Sequence, residues 1–217
     1  RVYRYPALDE SASYQGYPLA NPFNEDLDPE TGDNFELGSK IRYGSWSASA
    51  TMFYMIMDDE ISYDDNKKLN VNIGETDRLG SDLELAFERE SYGASCMAEL
   101  VAAKFTGGNN EDKSVPLVPD AHGTAALWVE PFSDLRLTGN YMWTTSQYHG
   151  GDFSNDMSKI DGYGLFGLRL DLTIKEDLTL FIKAENILDK EYASSAYSGG
   201  WYPGMGRAVY AGATLEF

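Results

Sequence analysis

The sequence predicts an all-β protein whose antiparallel sheet belongs to a transmembrane β-barrel. Apolar and polar residues alternate with a period of two, which sends neighbouring side chains to opposite faces of a sheet. Short and long connections alternate strictly along the chain. The strands run to about 9 to 12 residues, enough for a tilted strand to cross hydrocarbon, whereas strands of water-soluble proteins average about 5 to 6.

Composition narrows the class of protein further. The 217 residues carry a formal net charge of -18, and 42% of them are hydrophobic. This hydrophobic content argues against a disordered chain, and the acidic balance argues against a nucleic-acid surface, which needs clustered Lys and Arg. No apolar run approaches the roughly 18 residues of a membrane helix. The single cysteine, Cys96, rules out an internal disulfide framework and is interpreted as a small apolar strand residue.

The strands in the first half of the chain alternate most clearly between residues 35 and 88. One face carries the apolar residues Phe35, Leu37, Ile41, Tyr43, Trp46, Met52, Tyr54, Ile56, Leu83, Leu85 and Phe87. The other face carries Glu36, Lys40, Arg42, Ser47, Ser49, Thr51, Asp82, Glu84 and Glu88. Residues 94–105 and 122–130 permit either orientation, although Glu99 favours a polar space on its own side.

The strands in the second half follow the same rule. Their apolar face carries Leu135, Leu137, Tyr141, Trp143, Leu168, Leu170, Leu172, Ile174, Leu180, Ile182, Val209, Ala211, Ala213 and Leu215. Their polar face carries charged residues that we expect to face the lumen and pair across strands: Arg169, Asp171, Lys183 and Glu185. Gly212 lies on the same face, where we expect it to leave space.

The connections give the sheet a direction. Short turns are predicted at residues 44–45, 91–93, 131–134 and 175–177. Long polar loops are predicted at about 58–78, 107–121, 149–164 and 193–206. Outer-membrane barrels have short periplasmic turns and long extracellular loops. If Phe217 lies at the periplasmic side, counting the strands backwards from it places every short turn in the periplasm and every long loop outside the cell.

A soluble β-sandwich also alternates, because one face meets water and the other a core. Aromatic residues near the strand ends favour the membrane alternative, since such residues form girdles at bilayer interfaces. These are Tyr43, Trp46, Tyr92, Trp143 and Phe217.

Four segments resemble, in the correct order, motifs of TonB-dependent outer-membrane receptors. "RYPALDE" resembles a strand end and loop of that family, and "NPFNEDLDPETGDNFELG" is similar to its N-x-x-L-x-P-E…E-x-G segment. Residues 58–85, which end in "DRLGSDLEL", look like a family loop followed by a strand in which an Arg precedes G-x-E/D-L. "AENILDKEY", together with the final run from Gly206 to Phe217, looks like the closing NLFDKxY…GRxxxxGxxxxF. Ile187 and Leu188 replace the commoner Leu-Phe, and the resemblance covers nearly the whole chain.

The resemblance implies a barrel of about 22 strands with an N-terminal plug in its lumen. Residues 1–217 are then expected to supply about nine to ten strands of the C-terminal portion, with the plug and the TonB-contacting segment outside this sequence. The implied function is active uptake of a ferric siderophore, cobalamin, haem or other metal chelate, without catalytic residues, resident metal or cofactor. The implied partners are the TonB complex, the barrel-assembly machinery, lipopolysaccharide and the remaining strands and plug. A passive porin and a soluble β-domain or adhesin are the alternatives.

Aromatic residues in the long loops are the candidate ligand contacts, because their rings offer large contact area at low entropy cost. The candidates are Tyr14, Tyr17, Tyr63, Tyr148, Trp201 and Tyr202, with Trp201 and Tyr202 preferred because glycines surround them. Phe153, Tyr163 and Tyr197 are further loop aromatics. The alternative is that such rings pack loops together or lie in the interface belt.

Other polar features of the loops have structural interpretations or argue against particular functions. The acidic runs 57–60 and 63–66 are expected to be solvated loops rather than calcium sites, whose EF-hand spacing they lack. His122 with Asp120 and His149 with Asp152 could activate water, but neither pair has a third partner. The absence of histidine between the "RYPAL" and "NPFNEDL" segments disfavours haem.

Three features of the closing region complete the prediction. Asp189 marks the exit of a strand into the last loop, and Arg207 marks the return. Gly212, Leu215 and Phe217 resemble the terminal signal that the barrel-assembly machinery reads.

Overall fold

The computed structural model describes residues 1–11, 24–64, 67, 69–197 and 200–216. Within these residues, no helix is long and apolar enough to cross a lipid bilayer. The elements of the first half are β1 (Val2–Arg4), α1 (Leu8–Ser11), β2 (Glu30–Tyr43), β3 (Trp46–Asp58), β4 (Ile61–Asp64), β5 (Leu69–Asn72), β6 (Thr76–Glu88) and β7 (Tyr92–Phe105). A 3-10 turn (Gly108–Asn110) follows, and then β8 (Ala121–Phe132), β9 (Leu135–Thr144), β10 (Tyr163–Lys175), β11 (Leu178–Glu185), β12 (Ala193–Tyr197), β13 (Gly200–Pro203) and β14 (Ala208–Leu215).

Ten of these strands form one antiparallel sheet in the order β1-β2-β3-β6-β7-β8-β9-β10-β11-β14. Two small hairpins, β4–β5 and β12–β13, stand outside this order within long connections. The sheet confirms the predicted antiparallel all-β fold and its nine to ten strands.

The register separates an apolar face from a polar face. One row of directly paired residues on the apolar face runs through Tyr43, Trp46, Phe87, Ala94, Leu127, Gly139, Leu168, Ala184 and Val209. Glu99 pairs with Asp82 and with His122 on the polar face. This pairing settles which way residues 94–105 and 122–130 face. The sides that carry Glu99 and His122 belong to the polar face, as Glu99 indicated.

The apolar face is uncovered. Leu37 is 77% exposed, and Leu127 and Val209 are each 67% exposed. A sandwich would bury these side chains under a second sheet, and the described residues supply no such layer. The alternative of a soluble sandwich within this chain is therefore wrong.

The buried core lies at one end of the sheet, under the long connections. Ala103, Phe105 and Val115 form it, and Ile73, Val118 and Phe153 pack against it. These residues come from the end of β7 and from three successive long connections. The core therefore holds the loops to the sheet.

The boundaries of the connections differ from the prediction in detail. Phe132 ends β8, so the turn before β9 is tighter than expected, whereas Tyr92 and Gly93 begin β7, so the turn before it lies at 89–91 instead of 91–93. The regions predicted as plain loops at 58–78 and 193–206 contain the β4–β5 and β12–β13 hairpins. Residues 76–78 belong to β6. Alternation missed these strands because runs of four or five residues are too short to show a clear period of two.

Candidate functional site

The four long connections pack together over one end of the sheet. We call the described residues of 59–75, 106–120, 145–162 and 186–207 the loop cap. The segment 5–11 and 24–29, which precedes β2, joins it through two asparagines of β5. Asn70 donates to the backbone oxygen of Glu10 at 3.0 Å, and Asn72 donates to that of Asp28 at 2.9 Å.

The second and third connections of the loop cap are joined by hydrogen bonds to backbone groups. Asn155 accepts a hydrogen bond from the N–H of Ser114 at 2.7 Å and donates to its carbonyl oxygen at 3.0 Å. The N–H of Leu117 donates to the carbonyl oxygen of Tyr148 at 3.1 Å. Asn155 has a positive φ of 56°, which asparagine tolerates better than most residues.

The third and fourth connections meet along residues 147–150 and 194–197. Gln147 donates to the carbonyl oxygen of Ser194 at 3.1 Å, and the N–H of Gly150 donates to that of Ala196 at 2.8 Å. The ring of Tyr197 covers Gly150 so closely that a side chain at Gly150 would collide with it. This glycine is therefore required for the two loops to touch.

The candidates Tyr63, Trp201 and Tyr202 take part in two sets of ring contacts in the loop cap. The ring of Tyr197 lies edge-on to Tyr63 and to Tyr202, with centroids 6.3 and 5.9 Å apart. Trp201 meets the imidazole of His149 edge-on at 5.0 Å. Trp201 and Tyr202 are each 57% exposed, so their rings present an open surface. We call Tyr63, His149, Tyr197, Trp201 and Tyr202 the aromatic cluster.

The remaining loop aromatics divide between separate contacts and packing. Tyr148 carries the ammonium of Lys159 over its ring, 4.6 Å from the centroid. Phe153 packs in the loop core against Phe105, and Tyr163 stacks on Tyr192 at 4.3 Å. Phe153 and Tyr163 therefore have packing contacts, which was the alternative interpretation of the loop aromatics. The candidates Tyr14 and Tyr17 lie outside the described residues.

Neither histidine pair is assembled for water activation. Both ring nitrogens of His149 lack a hydrogen-bond partner in the described structure. Asp152 instead accepts from the N–H groups of Asp156 at 3.0 Å and Met157 at 3.1 Å. His122 lies 3.6 Å from Glu99.

The acidic run 57–60 is not simply a solvated loop. Glu60 pairs with Arg78 at 2.7 Å and accepts from the hydroxyl of Thr76 at 2.5 Å. Thr76 is fully buried, so Glu60 is a structural link between the loop cap and β6. Among the described residues, no group of three or more His, Cys, Asp and Glu side chains could hold a metal ion.

An ion-pair network fixes the segment that follows β1. Arg4 contacts Glu10 of α1 at 2.7 Å and Glu30 of β2 at 2.5 Å. The hydrogen bond from Arg4 lowers the pKa of the Glu10 carboxyl below its usual value, with a smaller contribution from the N–H of Ala7. The network therefore favours ionised Glu10 and holds α1 against the sheet.

The last long connection is closed at its base by Asp189 and Arg207. Asn186, only 5% exposed, donates to the backbone oxygens of Lys190 at 2.9 Å and Met205 at 3.0 Å. The sequence motif predicts Asp189 and Arg207 at the two ends of this connection, but it does not single out Asn186. An asparagine in a polar loop resembles any turn residue, and only its burial reveals that it holds the base of the loop together.

The polar face of the sheet carries an arginine stacked on an aromatic ring that covers a glycine. Arg169 lies 4.4 Å from the centroid of Phe181 and donates to Asp171 at 2.6 Å. A Cβ on Gly212 would come 2.6 Å from the Phe181 ring. The space that Gly212 leaves is therefore occupied by the Phe181 ring.

A second stack of the same kind lies nearby on this face. Arg136 lies 4.1 Å from the centroid of Trp128 and 3.2 Å from the carboxylate of Glu130. The Trp128 ring leaves no room for a side chain at Gly93. Lys183 pairs with Glu185 at 2.5 Å. The four charged residues expected to pair across strands therefore pair along a strand instead, Arg169 with Asp171 in β10 and Lys183 with Glu185 in β11.

Residues 1–187 match the family model described as "TonB dependent receptor-like, beta-barrel". The chain belongs to this family of receptors, and its ten-stranded sheet forms part of the barrel. Membership implies an outer-membrane location, and the related proteins are receptors and transporters rather than enzymes.

Solved structures of similar fold carry names of the same kind. The siderophore receptor PiuA from Acinetobacter baumannii is 19% identical with a TM-score of 0.72, covering 87% of this chain and 29% of that one. The ferric citrate transporter FecA, unliganded, is 21% identical with a TM-score of 0.76, covering 87% and 32%. The copper transporter OprC is 17% identical with a TM-score of 0.78, covering 100% and 36%. The chain spans about a third of the length of these proteins, and the likeness concerns the fold.

Proposed function

We propose that residues 1–217 form the C-terminal part of the barrel wall of a receptor that takes up a scarce nutrient actively, with energy supplied through TonB. Family membership supports this assignment. The sheet ends in β1 and β14, and open edges are not viable in lipid. The remaining strands of the receptor would pair with both edges, and its plug would fill the lumen and contact the TonB complex.

The connections support one orientation in the membrane. The short turns after β2, β6, β8 and β10 lie at one end of the sheet, and the loop cap lies at the other. We place the short turns and the end of β14 in the periplasm and the loop cap outside the cell, beside lipopolysaccharide. The exposed apolar face then contacts outer-membrane lipid.

The observation that carries a binding function is the presence of the candidate rings Tyr63, Trp201 and Tyr202 in the loop cap, where those of Trp201 and Tyr202 are exposed. When the loops that carry exposed aromatic rings are held by hydrogen bonds, the rings lose little conformational entropy on binding a ligand. We propose these rings as ligand contacts. Tyr148, Tyr14 and Tyr17 are proposed as further contacts around them, Tyr148 through the cation that it holds.

A metal chelate is the ligand class that the neighbours support. Proteins of similar fold are named as a siderophore receptor, a ferric citrate transporter and a copper transporter. Ferric siderophores, other metal chelates, cobalamin and haem all belong to the proposed range. The net charge of -18 gives no general attraction for an anionic chelate, so recognition would rest on local contacts in the loop cap.

Assembly is proposed to use the last strand. Leu215 lies on the apolar face of β14, and Gly212 lies on the polar face beneath Phe181. With Phe217, which lies outside the described residues, they would form the signal that the barrel-assembly machinery reads.

Energy-dependent uptake tests the proposal. The full-length receptor is expressed in Gram-negative cells that lack their own receptors, with and without TonB, and accumulation of radioactive iron chelates and cobalamin is measured. Uptake that needs TonB supports the proposed function. Equal uptake in both strains would instead identify a passive porin, and no uptake of any chelate in either strain would reject the proposed ligand class.

A further inference from the structure

An arginine lies beside the apolar face of the sheet, at its short-turn end. Arg89 follows β6, and its guanidinium lies 5.7 Å from the centroid of the Phe87 ring, within the range of a cation–ring contact. Phe87 pairs with Trp46 and Ala94 on the apolar face. Under the proposed orientation, the positive charge therefore lies where the lipid-facing surface meets the membrane interface.

The ring of Phe87 is the middle one of three aromatic rings at this place. Its centroid lies 4.8 Å from that of Trp46 and 5.9 Å from that of Tyr92. Trp46 and Tyr92 are each 51% exposed, and such rings lie at the level of the headgroups in a bilayer. We call Trp46, Phe87, Arg89 and Tyr92 the arginine shelf.

Backbone hydrogen bonds hold the arginine shelf in place. The N–H of Glu88 donates to the carbonyl oxygen of Ser45 at 2.9 Å, on one side of the turn 89–91. On the other side, the N–H of Glu130 donates to the carbonyl oxygen of Ser91 at 2.7 Å. Because the turn is tied to both neighbouring strands, a ligand would bind to it at little cost in ordering.

The guanidinium of Arg89 has no ion pair in the described part of the chain. Other arginines each pair with a carboxylate: Arg4, Arg78, Arg136, Arg169 and Arg207. Glu90, the next residue along the chain, is exposed and forms no ion pair with any described residue. A cation with free donors therefore lies next to an anion with free acceptors.

The rest of the receptor is poorly placed to supply the partner. β6 and β7 lie inside the sheet, with three strands on one side and five on the other, so the strands that complete the barrel would pair at distant edges. The proposed plug would lie in the lumen, on the polar side. The partner of the arginine shelf must therefore reach it from the lipid side or from the periplasm.

The chain between Ser11 and Asn24 is also too short to supply the partner. Ser11 and Asn24 are hydrogen-bonded to each other beside the loop cap, so the chain between them extends at most about 23 Å from that point. β6 has 13 residues and runs roughly 40 Å from the loop cap to Arg89.

We propose that the arginine shelf and Glu90 bind a membrane phospholipid with a phosphoethanolamine headgroup. The guanidinium donates to the phosphate oxygens, which its forked geometry suits, and the ammonium donates to the carboxylate of Glu90. The acyl chains lie along the exposed Leu83 and Leu85 of β6. An anionic headgroup fits less well, because it would bring a further negative charge close to Glu90. The inference rests on the proposed orientation and adds a partner at the opposite end of the sheet from the loop cap.

Native mass spectrometry of the full-length receptor tests this assignment. The wild type and Arg89→Gln are mixed with one phospholipid and measured in the same spectrum, so that binding at all shared sites is equal in the two proteins. Arg89→Gln removes charge-assisted hydrogen bonds to the phosphate, which weakens binding at this site about tenfold. Because other sites still bind, we expect the association constant of the first phosphatidylethanolamine to fall at least about threefold.

Three lipids with the same acyl chains identify the headgroup. Phosphatidylcholine keeps the phosphate, but its methylated nitrogen has no N–H to donate to Glu90. Phosphatidylglycerol keeps the phosphate and has no cation. The part of the binding that depends on Arg89 should be largest for phosphatidylethanolamine, and Glu90→Gln should remove this preference.

Two further variants serve as controls. Arg42→Gln makes the same replacement at the same end of the sheet but on the polar face, where Arg42 pairs with Ser47, and it should bind lipid like the wild type. Arg89→Lys keeps the charge but loses the forked geometry, so it should retain part of the affinity. It replaces Arg89→Gln if that variant does not fold.

Four results would overturn the inference. These are an unchanged association constant in Arg89→Gln, an equal fall in Arg42→Gln, equal Arg89-dependent binding of phosphatidylethanolamine and phosphatidylcholine, or tighter Arg89-dependent binding of phosphatidylglycerol. None of these measurements depends on chelate uptake. If TonB-dependent uptake is intact, any of the four results therefore rejects this inference alone and leaves the proposed function standing.

Discussion

The backbone N–H of Arg207 donates to the carboxylate of Asp189 at 2.9 Å, and its guanidinium lies 3.7 Å from the same side chain. The last connection of the loop cap runs between these two positions, and this contact closes its base. Asp189 also has a positive φ of 54°. Few residue types adopt this backbone conformation without strain, and Asp is one of those that do so more often.

Replacement of Asp189 by alanine should loosen the last connection of the loop cap. The variant loses a hydrogen bond worth about 1 kcal/mol while the barrel strands keep theirs. Limited proteolysis of intact cells should cleave 186–207 faster in Asp189→Ala than in the wild type. Asp189→Asn keeps an acceptor oxygen and should resemble the wild type. Equal cleavage of all three proteins would show that the contact does not hold the loop.

Replacement of Gly212 by alanine should impair folding because the new methyl group meets the Phe181 ring. Gly139→Ala is the matched control, since its Cβ would lie an ordinary 3.6 Å from Leu168. The folded fraction is measured by the heat-dependent shift of the barrel on electrophoresis. We expect Gly212→Ala to lower it and Gly139→Ala to leave it unchanged.

The double variant Gly212→Ala with Phe181→Ala distinguishes packing from assembly. Removal of the ring makes room for the methyl group, so recovery of folding would assign the defect to packing. A persistent defect would contradict that assignment and favour recognition of Gly212 by the assembly machinery.

The thiol of Cys96 should face lipid. It is exposed on the apolar face, where it pairs with Leu85 and Ala125. A charged, membrane-impermeant maleimide should leave Cys96 unlabelled in outer-membrane vesicles and label it after denaturation. Trp201→Cys should be labelled in intact cells. Rapid labelling of Cys96 in the vesicles would contradict the assignment of the apolar face to the bilayer.

Acid should release α1 from the sheet. Because Arg4 lowers the pKa of Glu10, the ionised form stabilises the fold at neutral pH. That stabilisation is lost as the pH falls from just above the ordinary glutamate value, about 4.3, through the lowered one. Hydrogen exchange of residues 4–11, corrected for its intrinsic pH dependence, should rise between about pH 6 and pH 3 in the wild type.

Glu10→Gln provides the control for this pH effect. It cannot ionise, so its exchange should already be faster at about pH 6 and should change less on acidification. An identical pH response in the two proteins would show that another group controls the release.

Much of the fold could be predicted because the physical signal is local. Alternation assigned Leu168, Leu170 and Ile182 to the lipid face because a strand has a strict period of two. The β12–β13 hairpin was missed because its rings serve loop contacts and not a sheet face. The cation–ring contact of Arg169 with Phe181 was also missed, because it depends on register between strands, which no single segment encodes.

The sequence indicates which types of residue the candidate site contains, but it does not indicate how those residues contact one another. Loop aromatics such as Trp201 could be selected from the sequence by residue type. The assembly around Tyr197, and the burial of His149 without a partner, arise from contacts between separate connections. His149 and Asp152 lie close in sequence, yet Asp152 caps backbone N–H groups instead.

The most direct test of a ligand-binding loop cap compares two double variants of the full-length receptor. Trp201→Ala with Tyr202→Ala removes exposed rings from the loop cap. Trp46→Ala with Tyr43→Ala removes an exposed Trp–Tyr pair at the short-turn end of the sheet. The dissociation constant of the transported chelate is measured on cells and normalised to the amount of receptor in the outer membrane. We predict at least about a tenfold weakening for the first variant and no change for the second. Equal affinity in the first variant and the wild type would contradict the account.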